Sequence, residues 1–84
     1  MTNLEVSLLT PRQVLFTGNA RSVIAPGEEG VFEVLPFHKR FLSRLIAGVL
    51  FIDSMGYRLK RGILKVDQNR VTIIIEGAQT IDEP

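Results

Sequence analysis

The side chains able to do chemistry are few, and their spacing limits what they can do. His38 is the only histidine among 84 residues; Ser43 or Ser54 could serve as the hydroxyl and Asp53 or Asp67 as the carboxylate of a hydrolytic triad. Such a nucleophile is presented on a tight, recognisable turn, and no Gly-x-Ser-x-Gly stretch occurs, so the set reads as incidental. One histidine without cysteine cannot build a tetrahedral zinc site, and Glu28-Glu29 lacks the spaced oxygen ligands of a calcium loop. Gly27 and Gly30 bracket those two acids, which occupy the place an approaching phosphate would need. No cofactor, metal or catalytic centre is therefore expected.

The cations allow a second chemistry. Lys39, Arg40 and Arg44 form one segment and Arg58, Lys60 and Arg61 another, with Phe37, Phe41 and Tyr57 interleaved. That mixture resembles a single-strand nucleic-acid surface, where rings stack on bases and cations follow phosphates. Against it, Arg58-Leu59-Lys60 alternates as a solvated strand face does, and ten Lys and Arg against nine Asp and Glu leave a net charge of only +1. A small nucleic-acid-binding β-barrel stands as the alternative function class.

The chain is long enough for a single small domain, residues 1–84, and has no cysteine, so packing alone must hold it together. Met1-Thr2-Asn3 is not a basic region leading into an apolar run, and no stretch approaches the roughly 20 apolar residues needed to cross a bilayer. Neither a leader nor direct membrane insertion is expected.

Period-2 patterning supplies the elements that must position these groups. Leu4, Val6 and Leu8 alternate with Glu5 and Ser7 as in a strand with one buried face, and Pro11 ends it. Val14-Leu15-Phe16 is a second short strand, Gly18-Asn19 reads as a turn before Arg21–Ala25, and Pro26–Gly30 reads as an exposed loop tip. Val31–Leu35 alternates until Pro36 breaks the ladder. Leu42, Leu45, Ile46 and Val49 fit helical spacing, although Gly48 and the β-rich Val49–Ile52 that follows favour a hairpin through Asp53–Gly56 into Tyr57–Lys60. Gly62 opens Ile63–Val66, Asp67-Gln68-Asn69 is a turn, and Val71–Ile75 reads as a central strand covered on both sides. Residues 77–84 read as a tail. Many short strands with tight turns predict an all-β protein, an antiparallel β-sandwich or flattened barrel.

Residues Ser22 to His38 carry a more specific signal: Gly27-x-x-Gly30, an apolar strand, Pro36, and His38 two residues later. With Phe16-Thr17-Gly18 upstream, and Gly62-Ile63-Leu64-Lys65-Val66 and Val71-Thr72-Ile73 downstream, this order resembles the epsilon subunit of F-type ATP synthases over nearly the whole chain. There are departures. The family commonly reads Gly-His-Ala-Pro-Leu-Leu at the corner where this chain has Phe37 to Leu42; Arg61 stands where a first glycine is usual, and Lys65 where an acid is common.

The resemblance implies a sandwich of roughly ten strands, with Phe41–Ala47 extended rather than helical. It implies a non-catalytic rotor subunit of the central stalk, coupling the gamma subunit to the membrane c-ring of a proton-translocating ATP synthase at the cytoplasmic face of the bacterial plasma membrane. Glu28, Glu29, Val31 and His38 occupy positions resembling the ring-facing loops. Phe41, Leu42 and Leu45 form the apolar segment expected to face gamma. The C-terminal helical hairpin of longer family members has no counterpart in these 84 residues.

Overall fold

A computed structural model describes residues 3–77 and 79–80, and every described element is a strand. In chain order these are β1 (Leu4–Leu9), β2 (Val14–Ala20), β3 (Val23–Gly27), β4 (Gly30–Val34), β5 (Phe41–Leu45), β6 (Gly48–Ile52), β7 (Met55–Leu59), β8 (Arg61–Asp67), β9 (Arg70–Glu76) and β10 (Gln79–Thr80). No helix is long and apolar enough to cross a membrane.

Hydrogen-bonded neighbours arrange the strands in two layers of five, β4-β3-β6-β7-β10 and β5-β8-β9-β1-β2. The layers join where Gly27 of β3 meets Leu45 of β5. Flanking bonds support that seam: Glu28 N–H donates to the Arg44 carbonyl at 3.3 Å and Ile46 N–H to the Pro26 carbonyl at 2.9 Å. Inward residues of both layers, among them Val23, Leu50 and Ile52 from the first and Leu4, Leu8, Leu64 and Ile73 from the second, make one buried cluster. Strands with one face in that cluster alternate in burial, as β8 and β9 do.

Several expectations are corrected. The sandwich is mixed rather than wholly antiparallel, because β1 pairs with β9 in parallel, Glu5 opposite Arg70 through Leu9 opposite Ile74. Such a pair needs a long connection, and nearly the whole chain supplies it. Gly18 and Asn19 do not turn; they continue β2 opposite Val6 and Glu5. Pro26 and Gly27 belong to β3, leaving Glu28-Glu29 as a two-residue hairpin loop. β9 is covered on one face only, with Ile73 and Ile75 buried and Ile74 exposed. In the expected tail, Gln79–Thr80 pairs with β7; residues 78 and 81–84 lie outside the described residues.

Candidate interaction surfaces

The groups of the imagined triad serve local structure instead. His38 Nδ1 lies 2.7 Å from the Lys39 carbonyl, and its ring tilts over Phe41 at 5.4 Å. Ser43 Oγ donates to the Arg44 carbonyl at 2.9 Å. Asp53 Oδ1 accepts from the amides of Arg21 and Ser22 at 2.9 and 3.1 Å, fastening the β6–β7 turn to the start of β3. Asp67 lies 3.7 Å from Arg40. These bonds link none of the five to another, and no cluster of three or more His, Asp or Glu able to hold a metal is present among the described residues.

The nucleic-acid reading needs rings beside cations on one surface. Tyr57 turns inward and is buried, whereas Arg58 next to it points out. Phe41 packs half-buried against the core and edge-on to Phe32 at 5.2 Å. Of the three interleaved rings only Phe37 is exposed, so these three do not make a stacking platform.

The outer face of the second layer is patterned by rows of cross-strand partners, which share a face. Arg44 lies opposite Ile63, Ile63 opposite Ile74, Ile74 opposite Leu9 and Leu9 opposite Val14. After Arg44 on β5 the row is apolar across the other four strands; Ile63, Ile74 and Val14 are each about half exposed and Leu9 is partly buried. The next row, Leu42-Lys65-Thr72-Ser7-Thr17, is polar except for Leu42. Beyond it, Glu5 pairs with Arg70 at 3.0 Å. On its other side the apolar row is bordered by the exposed Arg61–Glu76 pair at 3.1 Å, so it lies between polar and charged rows.

Leu42 and Leu45, expected together on the gamma-facing side, separate. Leu42 is 69% exposed and Leu45 only 3%. In a strand, residues three apart face opposite ways, so Leu45 belongs to the core with half-buried Phe41 on its side, and Leu42 belongs to the outer face. Sequence reasoning missed Ile63, Ile74 and Val14. The signal was available in Ile73-Ile74-Ile75, since a one-sided strand must turn the middle residue of three outward.

Glu28, Glu29 and Val31 border a groove of about 740 Å³ between the β3–β4 hairpin tip and β5, with Phe41, Leu42 and Arg44 on the opposite wall. Val31 is 73% exposed. His38 is not in that groove. It sits past Phe41, at the other end of β5 from the Glu28–Arg44 bond, so these four residues follow one flank, from hairpin tip along β4 to the corner, rather than forming a cluster.

Residues 3–81 match the family described as ATP synthase, Delta/Epsilon chain, beta-sandwich domain. The chain belongs to that family. Among curated delta/epsilon relatives, the ATP synthase epsilon chain of Sulfurimonas denitrificans is 37% identical over 96% of this chain, and that of Campylobacter fetus subsp. fetus is 32% identical over 93%. The chain spans about two thirds of their length, 66% and 64% respectively. The delta/epsilon sandwich is also similar to a chain in a cryo-EM structure of the Euglena gracilis mitochondrial ATP synthase with its c-ring, with TM-score 0.87 and 19% identity, covering 95% of this chain and 56% of the other. A central stalk and c-ring structure from Tetrahymena thermophila gives TM-score 0.75 at 18% identity, covering 90% and 65%. At these identities the structural likeness shows the shared fold.

Proposed function

We propose that this sandwich is a non-catalytic rotor part of an F-type ATP synthase, carrying rotation between the gamma subunit and the membrane c-ring at the cytoplasmic face of the bacterial plasma membrane. The observation that carries the reading is a delta/epsilon sandwich whose second layer turns an apolar row outward, Ile63-Ile74-Leu9-Val14 with Leu42 beside it. An apolar strip between polar rows is the arrangement of a docking face with a wet rim.

The gamma subunit covers that row. Phe41 and Leu45, on the inner side of β5, contribute only through the core. The c-ring meets the flank bearing Glu28, Glu29, Val31 and His38. Torque needs no chemistry in this part, only a body that deforms little, and a close-packed two-layer core supplies it. Membrane association comes through the complex.

The test is co-purification of the chain with separately expressed gamma subunit. The wild-type chain forms a one-to-one complex, and Leu42→Asp with Ile63→Asp abolishes it while far-UV circular dichroism and the melting temperature stay near wild type. Leu45→Asp unfolds the chain instead, because it buries a charge. No wild-type complex, or a complex indifferent to the outer-face pair, would refute the stalk assignment.

A further inference from the structure

The corner after β4 contradicts its own backbone preference. His38 N–H donates to the Leu35 carbonyl at 3.1 Å, closing a four-residue turn with Pro36 second and Phe37 third. Phe37 has φ = 70°. Proline followed by a positive-φ residue is the pattern of a type II turn, whose third position suits glycine, while a bulky side chain there is strained.

The strained geometry is clamped. Phe37 N–H donates to Asn69 Oδ1 at 2.6 Å, and Asn69 belongs to the β8–β9 hairpin loop, where Gln68 and Asn69 both have positive φ. Two turns distant in sequence thus interlock and hold the corner. Inside the described fold the ring gains little in return: it is 74% exposed, and the aromatic contacts nearby are Phe32–Phe41 and His38–Phe41. Leu35 beside it is half exposed, and Lys39 and Arg40 stand in solvent. Persistent strain with an exposed apolar product points outward, to a contact made by the side chain.

We infer that Phe37 is a specificity-determining anchor: a preformed apolar knob with a cationic rim that seats in an apolar pocket bordered by carboxylates on the c-ring surface. The inference rests on the stalk reading and adds a residue outside the set named there. The cations choose the partner's charge, since Lys39 and Arg40 lie one and two residues past His38, and Arg40 reaches Asp67 only at 3.7 Å with its side chain 80% exposed. The rigid turn argues for a shaped protein pocket over a lipid surface, because a fluid interface takes an apolar side chain in many orientations and gives no return on a fixed one.

The experiment uses the chain and a detergent-solubilised rotor of gamma and c-ring. Phe37→Gly relieves the strain and raises the melting temperature of the free chain by roughly 4 °C, yet weakens rotor binding about tenfold or more. Lys39→Glu with Arg40→Glu slows association and flattens its salt dependence. Equal binding by wild type and Phe37→Gly, with the Leu42→Asp, Ile63→Asp pair still losing the complex, overturns the anchor and leaves the stalk reading standing. A rotor that captures no wild-type chain overturns both. Phe37-dependent binding to phosphatidylglycerol-containing vesicles, with rotor binding indifferent to Phe37, overturns the protein pocket in favour of a lipid surface.

Discussion

Tyr57 and Gly62 show how single residues serve the sandwich. Tyr57 is buried in the first layer, and desolvation by burial raises its hydroxyl pKa above the ordinary 10.0. The folded value exceeds the unfolded one, so its stabilising contribution is complete below pH 10 and is lost as pH rises through the folded value. Urea midpoints should therefore fall above pH 10, and Tyr57→Phe should remove part of that fall; an unchanged alkaline profile would contradict the assignment. Gly62 is required by the close approach of β9, since a Cβ there would lie 2.6 Å from the Ile74 carbonyl oxygen. Arg61 beside it has room because it points to solvent and pairs with Glu76 at 3.1 Å. Types and order of such residues were readable along the chain. Phe37 was readable only as a missing glycine, because its consequence depends on φ and on Asn69, 32 residues away.

At the scale of the element, β5 carries the lesson. Its helix-like spacing comes from Leu42, Leu45, Ile46 and Val49, yet Phe41–Leu45 is a strand paired along β8. The pairing partner decides this, as β propensity depends on what the strand packs against. Period 2 then sends Leu42 and Leu45 to opposite faces, and substitutions should divide accordingly. Leu45→Ala should cost about 3 kcal/mol in denaturant unfolding, whereas Leu42→Ala should change stability by less than about 0.5 kcal/mol. Equal costs would mean that β5 is not held in this register. The same parity turns Ile74 out of β9, so a run resembling a fully buried strand supplies half-exposed apolar surface.

In the whole molecule, the parallel β1–β9 pair closes the second layer and ties residue 5 to residue 70. β9 is bonded on both sides, to β8 and β1, whereas β4, β2 and β10 each have one hydrogen-bonded neighbour. Amide hydrogen exchange should be slowest in Val71–Ile75 and faster in β4 and β2; comparable protection throughout would argue against this strand order. The body measures 32 × 27 × 23 Å, and both layers share its core. The sequence by itself determined the all-β class, most strand positions, the turns after Ile52 and Asp67 and, through the ordered glycine, proline and histidine signature, the family. Those are local properties: side-chain period, φ preference and residue order act within a few neighbours. The tertiary structure decided the parallel closure, the exposed row Ile63-Ile74-Leu9-Val14, the burial of Leu45 and the clamp on Phe37. Each depends on which strand lies beside which, and pairing between residues far apart in sequence is set by the packing of the whole core rather than by any one segment.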